Sequence, residues 1–225
     1  EVGRLLRRLP TLLDHRSMTD RLRPHWNFDD LDGTEERFRA RLAEEVSEPG
    51  RAEILTQLAR VEGLRGRFDG AGALVDEAAG LSQAAVVRVR VDLERGRIWR
   101  SSGSKDAALP LFRSAFATAV DAGEDWLAAD AAHMCALAAP DREGFLAWTR
   151  RGIALAESSE AAAYWLGPLL NNLGWELFDA GEHEQALAVF ERALAVRERE
   201  PEQVAAIEAA RTAVTEALGA LGRDR

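Results

Sequence analysis

The run Leu169-Leu170-Asn171-Asn172-Leu173-Gly174-Trp175-Glu176-Leu177, followed by Gly181 and then by Ala186, Phe190 and Ala193, decides how this chain folds. Leu170, Leu173, Gly174 and Leu177 fall at helical spacing and share one face. Gly181 marks a turn, and Ala186, Phe190 and Ala193 line one face of a second helix. Small residues on each helix let the partner backbone come close, and the larger ones fill the space between neighbouring pairs.

Working outward, the frame recurs as Leu55, Leu58 and Ala59, then Gly66, Ala71, Val75 and Ala78. It recurs again as Gly96 and Trp99, then Gly103, Ala108, Phe112 and Ala115. Trp99, at a packing position, is expected in the core. A degenerate copy uses Ala131, Met134, Cys135 and Ala138, then Ala147 and Ala154. There Ala139-Pro140-Asp141 replaces the turn glycine, Pro140 ending one helix and Asp141 capping the next. The frames start near residues 52, 89, 128 and 167, offsets of 37, 39 and 39.

This pattern resembles the tetratricopeptide repeat, in its longer form similar to kinesin light chain repeats, with Leu170 and Leu177 in place of that family's usual Trp and Tyr. The resemblance covers residues 34–222. It implies an all-α, right-handed α-α superhelix of about four helix pairs plus capping helices, with a concave and a convex side. Trp26-Asn27-Phe28-Asp29-Asp30 precedes a half repeat over 34–47 that carries Phe38, and a closing helix is expected over 201–222, beginning at Pro201. Pro110 and Pro168 should each kink or restart a helix. Residues 1–33 read as an N-terminal extension; its Arg4-Leu5-Leu6-Arg7-Arg8-Leu9 pattern fits a tag, an upstream extension or a real helix.

Composition narrows the function. The net charge is -9 with a pI near 5.1, which argues against nucleic-acid binding, because phosphate contacts need positive surface. No stretch reaches the roughly 18 apolar residues of a membrane span, nor the apolar run of a signal peptide, so a cytoplasmic protein is expected. Lys105 is the only lysine, a bias expected of a high-GC bacterial genome. The lone Cys135 forms no internal disulfide. His15, His25, His133 and His183 have no carboxylate, Ser or Cys neighbours at the spacing of a metal site or nucleophile. Phosphate-binding and hydrolase glycine motifs are absent, and Asp29, Asp30 and Asp32 lack the spacing of a calcium loop. No cofactor, metal or catalytic residue is expected.

The candidate binding residues lie on the expected inner face. Asn171 and Asn172 look like the Asn-Asn-Leu segment of kinesin light chain repeats. In that family such amides pair with a bound peptide backbone, offering both donor and acceptor. Frame-equivalent positions carry Gln57, Glu94 and His133. Arg60, Arg90, Arg97 and Arg100 form an arginine stripe able to receive carboxylates through bidentate forks, or else to pair with local acids such as Asp92 and Glu94. Trp175 reads equally as core edge or ligand contact. The expectation is a protein- or peptide-binding adaptor whose partner has acidic character, with Asn172, Arg97 and Arg100 the foremost contacts. The alternative is the sensory part of a larger bacterial transcriptional or signalling regulator. A homodimer through the array's ends is a further expectation.

Overall fold

A computed structural model describes residues 20–199 and 204–223. The Arg4–Leu9 pattern, His15 and Pro201 lie outside the described residues. The structure is 83% helical. A short 3-10 turn, Arg23–His25, leads into α1 (Leu31–Glu44). Four antiparallel pairs follow: α2 (Glu48–Leu64) with α3 (Phe68–Leu81), α4 (Ala85–Ser101) with α5 (Lys105–Ala122), α6 (Asp125–Ala138) with α7 (Arg142–Ser158), and α8 (Leu166–Asp179) with α9 (His183–Arg197). A 3-10 segment, Glu160–Trp165, joins the third pair to the fourth, and α10 (Val204–Ala220) closes the array against α9.

Capping starts the helices where the sequence supplies it. Asp30, Ser47 and Asp141 each accept a hydrogen bond from the backbone N–H three residues on, at Gly33, Gly50 and Gly144, satisfying one of the orphan donors of a first turn. The turns inside the first, second and fourth pairs are made at Gly66, Gly103 and Gly181, with φ of 74°, 95° and 78°. A side chain is strained there. In the third pair Ala139-Pro140 makes the turn without a glycine. Pro110 leaves α5 continuous, because the carbonyl it fails to pair belongs to exposed Asp106. Pro168 sits in the first turn of α8, where a missing N–H costs nothing.

Within each pair one position on the first helix faces one on the second, and their sizes are complementary. Gly96 is so close to Phe112 that an added Cβ would lie 2.8 Å from the ring's Cδ1 and Cζ. A Cβ on Gly174 would lie 2.9 Å from Cζ of Phe190. The equivalent residues are Ala59 and Val75 in the first pair, and Cys135 and Thr149 in the third, all buried. A larger residue on one helix thus goes with a smaller one on the other, which holds packing density constant along the array.

Two further expectations are corrected, beside that of a kink at Pro110. Ala147 and Ala154 are exposed, and α7 instead buries Trp148, Thr149, Gly152 and Ala156; Gly152 lets Leu169 of α8 approach to where a Cβ would meet its Cδ1 at 2.9 Å. Trp99 is 49% exposed. Leu177 and Ala138 at the equivalent positions are small enough to be covered, and an indole is not.

The first helices of the pairs form the inner layer. α2 and α6 are buried on nearly every side, although a helix of a two-layer array should show one wet face. The reason for α2 is that Asp20–Phe28 lies across its inner side: Leu22 and Trp26 are buried and join Phe38, Leu55 and Leu58 in one apolar cluster.

Candidate functional site

The inner face carries charged and polar groups at helical spacing: Glu53, Gln57 and Arg60 on α2, Arg90, Glu94 and Arg97 on α4, and Trp126, Asp130 and His133 on α6. Glu53, Gln57, Arg90, Glu94 and Asp130 are buried. Buried charges persist only when paired, and the pairing is thorough. Arg90 donates from Nη2 to Asp20 at 2.6 Å and from Nε to Glu53 at 3.0 Å. Arg21 reaches the other Glu53 oxygen at 2.8 Å. Arg97 bonds Glu94 of its own helix and both oxygens of Asp130, at 2.5 and 2.7 Å. Burial works against the charged form of Arg97, but Asp130 and Glu94 more than offset it and raise its pKa. For Asp130, burial would raise the carboxyl, and the Arg97 and Arg60 guanidiniums overcome that and hold it below the usual range.

Across this face lies the chain's own segment. The Trp26 indole N–H donates to Gln57 Oε1 at 2.9 Å. The Arg60 guanidinium sits over the rings of Trp26 and Phe28, at 5.5 and 5.6 Å. Arg23 reaches over the ring of Tyr164 at 5.1 Å and donates to its hydroxyl at 3.4 Å. Segment, inner helices and the Glu160–Trp165 turn together line a partly open cavity of about 210 Å³. Beyond Arg60 and Arg97, toward the C-terminal ends of α2, α4 and α6, a second hollow of about 180 Å³ lies between Leu64, Ile98, Arg100, Met134 and Leu137. The segment does not line it.

Of the candidate residues, Gln57, Arg60, Arg90, Arg97 and His133 line this cavity, and Arg60, Arg97 and Arg100 line the neighbouring hollow. Asn172 joins them indirectly: its Nδ2 lies 2.8 Å from His133 Nε2. Asn171 lines neither space. Trp175 packs edge-on against Phe178 and Phe190, at 5.5 and 5.0 Å, and belongs to the core edge. Arg90 and Arg97 are committed to internal carboxylates, whereas Arg60 and Arg100 make no ion pair among the described residues. Periodicity did not reveal Asp20, Trp26 or Tyr164, which complete the site from outside the repeat frame; the aromatic pair Trp26 and Phe28, off any helical stripe, was the available signal.

His133 lies against the Trp165 ring, centroids 5.4 Å apart. Burial, reinforced by Arg97, Arg60 and Arg100, pushes its pKa down to about 4, against the opposing pull of Asp130. The ring is therefore neutral at pH 7. With Asn172 Nδ2 donating to Nε2, the ring proton sits on Nδ1. The unfolded chain protonates this histidine near 6.5 and the folded one near 4. Its contribution to stability is thus present above about pH 6.5 and is lost as pH falls through about 4, on the order of 3 kcal/mol in all. Denaturant unfolding at several pH values should show His133→Gln closing on wild type across this window, with the gap constant above it.

Comparison with known proteins agrees with the repeat geometry. Residues 169–200 match the family model described as Tetratricopeptide repeat. No curated protein matches the chain in sequence. Among solved structures, BtubC (BKLC) from P. vanneervenii superposes with a TM-score of 0.67 at 16% identity, over 90% of this chain and 85% of that one. Residues 169–200 thus read as a tetratricopeptide repeat, and the described residues share the all-α solenoid fold of that structure. Among the described residues no helix is long and apolar enough to cross a membrane.

Proposed function

We propose that the chain is a protein-binding scaffold that holds a segment of an acidic partner on its inner face, at the hollow between Leu64, Ile98, Arg100, Met134 and Leu137. The fold supports a protein-interaction role in general. The observation that carries the finer reading is the seating of Asp20–Phe28: side chains of a non-repeat segment dock on Gln57, Arg60, Glu53 and Arg90. This face therefore recognises polypeptide already. The hollow that the segment leaves uncovered has an apolar floor and, in Arg60 and Arg100, two guanidiniums without carboxylate partners. An apolar floor with charge at its rim suits a segment that presents both apolar and acidic side chains. Asn172 and Gln57 hold His133 and Trp26 in place in this reading, and Arg97 supports the wall. A nucleophilic role for Cys135 is disfavoured, since burial pushes its thiol up to about 12.

A fluorescent library of short peptides, screened by anisotropy, tests this. Binders should be enriched in Asp or Glu beside Leu, Ile or Phe. Arg100→Glu should weaken them about tenfold or more, while Lys105→Glu, at the exposed start of α5, should not. Selection of uncharged or basic peptides, or binding indifferent to both Arg100→Glu and Leu137→Asp, would reject the assignment.

A further inference from the structure

The cavity beneath Asp20–Phe28 differs from the neighbouring hollow in how many buried donors its lining leaves unpaired. Among the described residues six buried side-chain polar atoms lack a hydrogen-bond partner. Three of them, Arg23 Nε, His133 Nδ1 and Trp165 Nε1, belong to residues lining this one space. Trp165 is only 7% exposed, so its indole N–H has no easy access to bulk water. Arg23 and Trp165 can only donate, and Asn172 leaves His133 with its proton on Nδ1, so all three are donors. An orphaned buried donor costs free energy that natural interiors rarely leave uncompensated.

The charge of the lining points the same way. Arg23, Arg60, Arg90 and Arg97 stand against Asp20, Glu94 and Asp130. The three carboxylates are bonded to Arg90 and Arg97. The surplus positive charge is carried by Arg60 and Arg23, which touch only aromatic rings, a hydroxyl and a backbone carbonyl. Glu53, bonded to Arg90, and Arg21, bonded to Glu53, add one charge of each sign to this network, so one unit of positive excess remains and suits a monoanion. The walls are flat and aromatic, from Trp26, Phe28, Trp126, Tyr164 and Trp165. At about 210 Å³ the space corresponds to roughly seven waters at liquid density, room for one ring bearing a carboxylate.

We propose that this cavity is a binding site for a small aromatic monocarboxylate, whose carboxylate is received by Arg60, Arg23, Trp165 and His133 and whose ring lies against the tryptophans. The site adjoins the hollow and shares Arg60, Glu94 and Arg97 with it, but its aromatic walls and orphaned donors are its own, and it stands whether or not the hollow binds a peptide. A ligand here would also tie the Asp20–Phe28 segment to the inner helices, since both contribute donors.

Titration calorimetry on the full chain tests it, with benzoate as the probe and benzyl alcohol and inorganic phosphate as comparisons. Benzoate should bind saturably at one site. Benzyl alcohol, of similar shape without the charge, and phosphate, with excess charge and no ring, should each bind at least about tenfold more weakly. Arg60→Gln and Trp165→Phe should each weaken benzoate several-fold while the helical circular dichroism is kept; the second removes one N–H and retains an aromatic wall. Arg142→Gln, remote from the cavity, should change nothing. Absence of saturable benzoate binding, equal binding of benzyl alcohol, tighter binding of phosphate, or benzoate affinity unmoved in both cavity variants would each overturn the proposal. The comparison among probes on wild type decides the matter even if a variant fails to fold.

Discussion

Arg97→Met should destabilise the protein by about 3–5 kcal/mol, the largest single effect expected at this site. The cause is what it leaves behind. Glu94 and Asp130 are each only 3% exposed, and Arg97 is the guanidinium bonded to both. Without it two carboxylates share a buried space, and each must be desolvated, repelled or protonated. Asp130→Asn should cost less, about 1–3 kcal/mol, because Arg97 keeps Glu94. The pH dependence distinguishes this account from a simple packing loss. In wild type the depressed carboxyl of Asp130 contributes stability that is present at neutral pH and lost only as pH falls through its lowered value. In Arg97→Met the orphaned carboxyls are raised by burial, so the penalty is full at neutral pH and shrinks as acid protonates them. Denaturant unfolding at pH 7 and at mildly acidic pH should show the gap between variant and wild type narrowing. A gap independent of pH would show that the ion pairs contribute little.

Gly174→Ala should destabilise by about 1–3 kcal/mol, although Ala ordinarily favours a helix over Gly by about 1 kcal/mol. The added Cβ has no room against Phe190. Phe190→Val alone should cost a similar or larger amount, about 2–4 kcal/mol, through the cavity it opens. The double variant recreates the Ala59 and Val75 combination of the first pair and should be more stable than the sum of the two losses by about 1–2 kcal/mol. Gly72→Ala supplies the control: nothing lies within 4 Å of its would-be Cβ in α3, so it should stabilise by about 0.5–1 kcal/mol. Thermal or denaturant unfolding of the four proteins measures the coupling. Strict additivity would refute the size complementarity.

That complementarity also explains how the fold was legible. Small residues at 59, 96, 135 and 174 recur because helix pairs demand close approach, and a local rule repeated four times survives in sequence. The frame slipped on α7 because Thr149 and Gly152 replace the Phe or Val and the Ala of the other pairs, and the nearby Ala147 and Ala154 mimic them. Trp99 misled because a consensus position fixes direction, not whether a large ring will be covered. Of the site, the stripe Gln57, Arg60, Arg90, Arg97 and His133 was visible, since positions on one layer of helices follow from spacing. Its internal pairing was not. Whether a guanidinium meets Glu94, Asp130 or solvent depends on contacts between helices, and the docking of Asp20–Phe28 follows from no periodicity at all.

The contact between Arg23 and Tyr164 joins residues 141 apart in the chain. An array of stacked pairs otherwise assembles through near neighbours, each pair able to form or fray with little regard for distant ones. Closing a loop of that length costs about 4 kcal/mol of chain entropy, so this contact forms once the pairs between are in place. It then ties the N-terminal segment, docked on α2, to the turn between the third and fourth pairs. Folding should accordingly end on a slow docking step, and the early helices should melt together with the middle of the array instead of unravelling one by one from the N-terminal end.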